Sequence, residues 1–346
     1  MNTKPSFWKT TLDEQSAIFN SVKKGNVRSI AKSPGNRDVL IAEYGEKQDF
    51  NRTANYSSSC GAGNTKYYAD KTGKKPVIFI IGAIHATELE GTSALLNLVQ
   101  MIETGEDFLG TRNRFLSECI NQCRLLIVPL ANPDGRARNM PDTMHGFSYE
   151  EHRHYTEGRW KDGTLCEWPE CKAVHPIKDH VSFLGAYFND DGINMMHDNF
   201  FGKMANETMA LLAAAEQEAP DFTILLHGGG NMKPAILDTA HVPLYVKERL
   251  RALSLRIKEE ANKQNLPYTE TKIERDDSFP PRSFNLCSAL HHVCGSAAFT
   301  YESNQGLQYN SDHKWNEWET VLSYEEILAE HNILFEQTIK YALELI

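Results

Sequence analysis

Four polar residues in this sequence have the types and the spacing that metal chemistry requires. His85 and Glu88 lie three positions apart in GAIHATELEG, directly behind the apolar run VIFII. On a turn or a first helical turn, side chains three positions apart can face the same point. His227 follows DFTILL, and Glu302 follows AAFTY. Two histidines and one carboxylate form a ligand set of hydrolytic zinc sites, which leave one coordination position open for water.

These residue types indicate amide hydrolysis. A zinc ion lowers the pKa of its bound water to near neutrality and polarises a carbonyl group. We therefore predict that His85, Glu88 and His227 bind one zinc ion, although cobalt or nickel would suit the same ligands. A carboxylate outside the ligand set must then move protons, and we predict that Glu302 is this general base.

The elements that position these residues are predicted from the apolar patterns. Four runs have the composition of buried strands, and helical patterns lie between them; the strands are VIFIIGAI, CRLLIVPL, DFTILLH and SAAFTYES. A hairpin, VRSIAKSPGNRDVLIAEYG, precedes them. The alternation predicts an α/β fold, with a mostly parallel mixed sheet and helices on both faces. Ligands of such sheets bind beyond the carboxyl ends of the strands, which is where all four polar residues are expected.

Composition limits the classes of function. With 346 residues, of which 41% are hydrophobic, the chain is predicted to form one domain, 1–346, with a long loop insertion at 136–190. The net charge of -10 argues against nucleic acid and membrane surfaces as partners. No apolar run approaches about 20 residues, and the first residues lack the apolar centre of a secretion signal. Seven scattered cysteines favour reduced thiols, so we expect a cytoplasmic protein. The oligomeric state is left open.

The ordered set of motifs resembles the zinc carboxypeptidases of the carboxypeptidase A type. That family has a His-x-x-Glu pair after a buried strand, a later histidine at a strand end, and a glutamate in an FT-x-E context. This chain has HATE, ILLH and FTYE in the same order, with NPDG at 132–135 placed as in the family. The resemblance extends from the hairpin to Glu302. It implies the carboxypeptidase fold, one zinc ion and a metallopeptidase activity in a divergent, bacterial-like member.

The chain also departs from the family at the residues that bind substrate. The family's Asn-Arg pair, whose arginine binds the substrate carboxylate, corresponds to Asn194 and Met195. A thioether cannot form the bidentate bond that a guanidinium forms with a carboxylate. By resemblance, Arg138 is the candidate that supports the carbonyl oxygen in the transition state. Asn194, Arg136 and Arg282 are the candidates for binding the substrate.

Each assignment has a simpler structural alternative. Glu88 would be favoured by the helix dipole at the start of a helix, and His227 would suit a hydrogen-bonded core position. Glu302 would suit an ordinary salt bridge, and NPDG readily builds a turn without any catalytic role. CEWPECKAVH contains two cysteines and a histidine, but it lacks a fourth ligand and the usual spacing. We therefore expect that segment to be a structural loop.

The leading hypothesis is a zinc-dependent hydrolase that cleaves a peptide or peptide-like amide. A second hypothesis is an amidohydrolase of the desuccinylase and aspartoacylase type, which acts on N-acylated small molecules. A third is a zinc-binding protein without catalysis, although a proton-transfer carboxylate such as Glu302 has little use in binding alone. Turnover of peptides compared with N-acyl amino acids separates the first two hypotheses. Zinc binding without any hydrolysis would indicate the third.

Overall fold

The computed structural model describes residues 4–138, 140–308 and 320–345. The strands in these ranges are β1 (Asn26–Lys32), β2 (Asp38–Tyr44), β3 (Val77–Ile81), β4 (Arg124–Val128), β5 (Gly158–Trp160), β6 (Val181–Leu184), β7 (Phe222–Gly228), β8 (Ala235–Ile236) and β9 (Ala297–Ser303). The helices in these ranges are α1 (Leu12–Asn20), α2 (Tyr56–Gly61), α3 (Leu89–Thr104), α4 (Arg114–Glu118), α5 (Pro133–Ala137), α6 (Tyr149–Thr156), α7 (Asn206–Glu218), α8 (Leu244–Lys263), α9 (Leu286–Cys294) and α10 (Tyr324–Glu344).

The main sheet has the strand order β1-β2-β4-β3-β7-β9-β8 among the described residues. Its four central strands, β4, β3, β7 and β9, are parallel to one another. The β1-β2 hairpin joins β4 in antiparallel orientation, and β8 is antiparallel to β9. The predicted mixed sheet is therefore confirmed, with its parallel strands in the centre and antiparallel strands at both edges. Because the central strands are parallel, their carboxyl ends all meet at one edge of the sheet.

Helices cover both faces of the sheet, as predicted. One apolar core contains Leu95 of α3, Leu250 of α8 and Leu334 of α10. The core on the opposite face contains Leu211 of α7 and Leu290 of α9. A strand with a core on each side has no polar face, which explains the uninterrupted apolar run of β3.

A glycine sets the distance between α3 and the sheet. A Cβ atom placed on Gly91 would lie 2.5 Å from the Cβ atom of Leu226 in β7. Only glycine permits this close approach without a shift of helix or strand. The first turn of α3 is thereby held directly against β7. The helix ends at Gly105, whose φ of 92° provides the left-handed cap expected from the sequence.

The segment 136–190, predicted as a long loop insertion, contains a helix and a small sheet. Helix α6 begins with a capping box, in which Ser148 and Glu151 bond each other's backbone amides. Strands β5 and β6 form an antiparallel pair. A separate apolar cluster supports the segment; its buried members are Cys166, Cys171, Ile177, Tyr187 and Phe188. The insertion is therefore a packed segment with its own helix, strand pair and apolar cluster.

A buried ion-pair network joins the end of α7 to β4. The Arg124 guanidinium donates to both carboxylate oxygens of Glu218, at 3.1 and 3.2 Å. Lys47 lies 2.8 Å from the same carboxylate. Burial alone would raise the pKa of Glu218, but the hydrogen bonds from these two cations outweigh burial and lower it.

Two further observations concern membrane-spanning helices and the state of the cysteines. No helix in the described part of the chain is long and apolar enough to cross a bilayer. All seven cysteines are unpaired, and all except Cys60 are buried.

Candidate metal centre

The loop between β3 and α3 carries His85 and Glu88 at the carboxyl edge of the sheet. Backbone hydrogen bonds hold this loop against the segment that follows β4, including Asn132 N to Ala83 O at 3.0 Å. Ala83 has a φ of 47°, a left-handed conformation that is uncommon for a residue with a side chain. The Glu88 amide donates to the His85 carbonyl at 3.0 Å, which closes a turn. This turn brings the two side chains, three positions apart, to the same side.

His85, Glu88 and His227 converge on one point. His85 Nδ1 lies 2.9 Å from Glu88 Oε1, and His227 Nδ1 lies 2.9 Å from Glu88 Oε2. All three side chains are buried, and their ligand atoms lie within 4.8 Å of one another. Ligands at about 2.1 Å from a tetrahedral zinc ion are separated by roughly 3.4 Å. Within the described ranges, this is the one group of three such side chains with metal-binding geometry.

The polar atoms of these three side chains suit a bound cation better than hydrogen bonds among themselves. His227 Nε2 and Glu88 Oε2 have no hydrogen-bond partner among the described residues, although Glu88 Oε2 and His227 Nδ1 are close. Glu88 is the N-cap residue of α3, where the helix dipole favours a carboxylate, but its side chain forms no capping hydrogen bond to α3 within the described chain and is directed to the two histidines instead. Burial would raise the pKa of Glu88, but the charges of both histidines lower it, and the carboxylate is ionised. Nitrogen and carboxylate donors of this kind fit zinc.

Two neighbours hold the His85 ring in position. Asn194 Oδ1 lies 3.2 Å from His85 Nε2, which leaves Nδ1 facing Glu88. The Tyr187 ring stacks on His85 with a centroid distance of 3.4 Å and an interplanar angle of 14°. Metal-binding histidines usually donate their second ring N–H to such an oxygen, which fixes the tautomer. Asn194, predicted to bind substrate, thus contacts a candidate metal ligand, and its Nδ2 has no partner among the described residues.

Glu302 lies beside the three converging residues without joining them. It is directly opposite His227 in the register of β7 and β9. Adjacent strands are about 4.8 Å apart, and paired residues project to the same face of the sheet. No described residue forms an ion pair or hydrogen bond with the Glu302 carboxylate, so the salt-bridge alternative lacks a partner there. Burial, together with the nearby Glu88, raises the pKa of Glu302 to about 7, against the lowering effect of His227.

The NPDG motif has a structural role in the fold. Asn132 Oδ1 accepts from the Gly135 amide at 2.8 Å and caps α5. Asp134 is fully buried and accepts from Ser33 Oγ at 2.6 Å and from Arg37 at 2.8 Å. These contacts join the turn to the β1-β2 hairpin, in agreement with the simpler interpretation of the motif.

The Arg136 guanidinium, a candidate for substrate binding, is enclosed by protein acceptors. Its Nε donates to Thr10 O at 2.9 Å, and Nη1 donates to Met140 O at 3.2 Å and Pro141 O at 3.1 Å. Nη2 contacts the Asp142 carboxylate. A substrate would have to displace these bonds, so the structure gives no support to this assignment.

The guanidinium groups of Arg138 and Arg282 are likewise hydrogen-bonded to acceptors within the protein. Arg138 donates to Asp190 at 2.5 Å and to Gly185 O at 2.9 Å. Arg282 donates to the Asp238 carboxylate at 2.6 Å and to the Asp238 carbonyl at 2.7 Å. Neither guanidinium contacts the converging residues; Arg138 Nε has no partner among the described residues, but both Nη groups of each arginine are hydrogen-bonded. The roles predicted for them in oxyanion support and substrate binding are therefore unsupported by the geometry.

The segment CEWPECKAVH contributes a cation rather than a second metal site. Cys171 lies in the apolar cluster of the insertion, and His175 Nε2 accepts from the Asn194 amide at 2.9 Å.

Lys172 is half-buried, and its charge acts on both Glu302 and His227. The sequence analysis missed Lys172 and Tyr187, since their proximity to the centre depends on how the insertion folds.

Comparison with known proteins places this geometry in a family. The family model described as zinc carboxypeptidase matches residues 23–310. The structure is similar to a metallo-carboxypeptidase from Burkholderia cenocepacia, with a TM-score of 0.60, 12% identity, and coverage of 97% of this chain and 70% of that one.

Two eukaryotic structures are also similar. Carboxypeptidase A from Helicoverpa armigera has a TM-score of 0.54 and 15% identity, over 98% of this chain and 75% of that one. Bovine thrombin-activatable fibrinolysis inhibitor, in complex with tick carboxypeptidase inhibitor, has a TM-score of 0.57 and 11% identity, over 99% and 100%. The sequence matches no curated protein. At these identities the structural likeness shows the fold alone.

Proposed function

The chain belongs to the zinc carboxypeptidase family, and from that premise we propose that this hydrolase cleaves an amide bond of a peptide or peptide-like substrate, with Glu302 as general base. The observation that carries the proposal is the convergence of three buried ligand atoms, within 4.8 Å, next to a carboxylate without a partner among the described residues. A catalytic carboxylate needs this freedom, because a committed one would have to break a bond before it could move a proton.

His85, Glu88 and His227 would hold the zinc ion. When bound there, the metal would supply a Lewis acid for the carbonyl oxygen and a water of lowered pKa. The chain's own contribution is preorganisation: Asn194 and Tyr187 fix the His85 ring, and α3 is held against β7 by the close contact at Gly91. Such support keeps reacting groups in their productive geometry before substrate binds.

Glu302 would move the proton. Its carboxylate would accept a proton from the attacking water and then deliver it to the leaving amine nitrogen, which completes the cleavage. Burial raises the pKa of Glu302 to about 7 in the metal-free chain, and this effect of burial favours a carboxyl group that both accepts and returns a proton. The position of Glu302 opposite His227 places it beside the ligand set and outside it.

Removal and restoration of the metal test this function. The purified chain would be assayed against N-acetyl dipeptides and N-acyl amino acids, before and after chelation, and again after addition of zinc. We expect hydrolysis of an amide in at least one class, loss of this activity on chelation and recovery with zinc. Activity that survives complete removal of metal would contradict the proposal, as would zinc-loaded protein that hydrolyses neither class.

The insertion supports a second candidate, hydrolysis of small N-acyl amino acids. Tyr187 of this segment stacks on His85, and Lys172 lies close enough for its charge to act on Glu302, so the insertion lies at the site. A segment packed at this position would leave less room for a polypeptide than for a small substrate. A kcat/KM that is at least tenfold higher for N-acyl amino acids than for peptides would establish this candidate, and the opposite ratio would exclude it.

We also propose a cytoplasmic location. The seven unpaired cysteines support it, because disulfides are rare in reducing compartments. Fractionation of cells that produce the native gene product tests the location, and recovery outside the cytoplasm would contradict it.

A further inference from the structure

A hydrolase that acts on peptides or N-acyl amino acids meets an anionic group, the carboxylate at the end of its substrate. The arginines that the sequence suggested for this contact are committed to other acceptors in the fold. Met195 is fully buried in the apolar core and carries no charge. A cation that binds the substrate carboxylate would therefore come from another part of the chain.

The insertion places Lys172 near the metal centre. Lys172 belongs to a short 3-10 turn, Glu170–Ala173, in which the preceding Cys171 is buried against Tyr187 and Phe188. Tyr187 in turn stacks on the His85 ring. Packed side chains thus connect the turn to the metal-binding residues, and Lys172 is the cationic residue of that turn.

The Lys172 ammonium group has no acceptor of its own in the described chain. No described carboxylate lies within ion-pair distance of it, and the contact that it makes is with the Trp168 ring, 4.9 Å from Nζ to the centroid. Burial lowers the pKa of Lys172, while the charges of Cys171 and Glu302 act in the opposite direction. A half-buried cation has lost part of its hydration, so an anion that fills this position gains a strong charge-assisted bond.

We propose that Lys172 binds the substrate's carboxylate, in the place where the resemblance leads one to expect an arginine. This inference rests on the proposed function and adds a specificity determinant to it. An ammonium group is a point charge with three donors, in contrast to the planar fork of arginine. It binds a carboxylate without imposing one bidentate geometry, and the anchored side chain confers preference for acids over neutral analogues.

Paired substrates test the proposal. An equimolar mixture of N-acetyl dipeptides, with the twenty side chains at the last position, would be prepared as free acids and as C-terminal amides. Hydrolysis by zinc-loaded protein is followed by mass spectrometry for the wild type, Lys172→Met and Lys172→Arg, and kcat and KM are then measured separately on the best acid and its amide. Lys161→Met is the matched control, because Lys161 is an exposed lysine of the same insertion. Circular dichroism and thermal unfolding establish that each variant is folded.

We expect the wild type to prefer free acids over amides. Lys172→Met should lose about 10- to 100-fold in kcat/KM on acids, mainly through KM, and should change little on amides, since a hydrogen bond to a charged group has about this effect. Lys172→Arg should retain most of the preference, and Lys161→Met should be unchanged. A purely structural role for Lys172 would not separate acids from amides.

Three results would overturn the inference, and they are distinguishable. An unchanged acid preference in Lys172→Met would show that another group binds the carboxylate. An equal loss of kcat on acids and amides would assign Lys172 to the transition state or to the fold. A wild type that hydrolyses neither set, nor any N-acyl amino acid, although loaded with zinc, would refute the proposed function itself and this inference with it.

Discussion

Replacement of Glu302 by glutamine isolates the proton-transfer step. Glutamine has the same size and shape but cannot accept the proton, and the substitution leaves the three converging ligand residues intact. Loss of a general base typically costs about 10²- to 10⁴-fold in rate, which corresponds to about 3 to 5 kcal/mol in the activation free energy. We expect kcat of Glu302→Gln to fall within that range.

The structure also predicts that this variant stays folded and keeps its metal. Glu302 forms no ion pair or hydrogen bond with a described residue, so no partner there is left unsatisfied. In the metal-free chain, burial raises its pKa to about 7, above the ordinary value of 4.5, so its ionisation costs stability as pH rises from 4.5 through 7. Neutral glutamine removes this penalty, and the stability of the metal-free protein at pH 8 should be equal or higher.

Three measurements on one preparation test whether Glu302→Gln loses turnover but keeps its fold and its metal. They are kcat on the best substrate, zinc per chain, and the midpoint of urea unfolding. Glu248→Gln is the matched control, because Glu248 is exposed on α8. The expected pattern is a loss of turnover with zinc content unchanged. If Glu302→Gln retains the wild-type kcat, Glu302 is not the general base. If it loses both zinc and turnover, Glu302 supports the metal group instead.

Three further predictions concern the support of the centre and the stability of the fold. Asn194→Ala should weaken zinc binding about 10- to 100-fold, measured by competition with a chelator, because His85 Nε2 loses its acceptor; unchanged affinity would show that Asn194 does not orient the ring. Gly91→Ala should lower the free energy of unfolding by about 1 to 3 kcal/mol in urea, since its Cβ atom would clash with Leu226; wild-type stability would show that the helix can move away at no cost. The lowered pKa of Glu218 stabilises the fold above the unfolded pKa of 4.5, and this contribution is lost as pH falls through the folded pKa. Glu218→Gln should therefore reduce the change in unfolding free energy between pH 7 and pH 3, and an unaltered pH dependence would contradict the assignment.

The sheet and the metal group were predictable because their signals are local. The apolar runs before His85, His227 and Glu302 are long enough to indicate buried strands, and parallel strands deliver the following residues to one edge. The spacing of His85 and Glu88 allows the two side chains to face the same point on a turn. Residue type, strand length and spacing together were sufficient to predict that these side chains meet.

The arginine assignments failed to gain support for a different reason. A sequence shows that a guanidinium is present but not which acceptors occupy it. The carbonyls that enclose Arg136 come in part from Thr10, 126 positions away, and the Asp238 carboxylate that holds Arg282 is 44 positions away. Such partners are known only once the chain is folded, and a motif-based comparison does not supply them.

The insertion lies between these two cases. Its helix has a readable start, because Ser148 and Glu151 in SYEE form a capping box, and that signal was available in the sequence. The position of Lys172 was not, because it depends on the packing of Cys171 against Tyr187 and of Tyr187 against His85. A segment without a helical or strand-like repeat of apolar residues gives no sequence signal for its tertiary contacts. Those contacts depend on how the folded side chains pack together.

The central claim is that His85, Glu88 and His227 bind a metal ion, and elemental analysis tests it most directly. Metal content would be measured on protein purified without added metal and after dialysis against zinc, for the wild type and His227→Ala. His180→Ala, at an exposed position, is the control. We predict about one zinc ion per chain in the wild type and in the control, and its loss in His227→Ala. A wild type without zinc after dialysis, or equal zinc in His227→Ala, would contradict the claim.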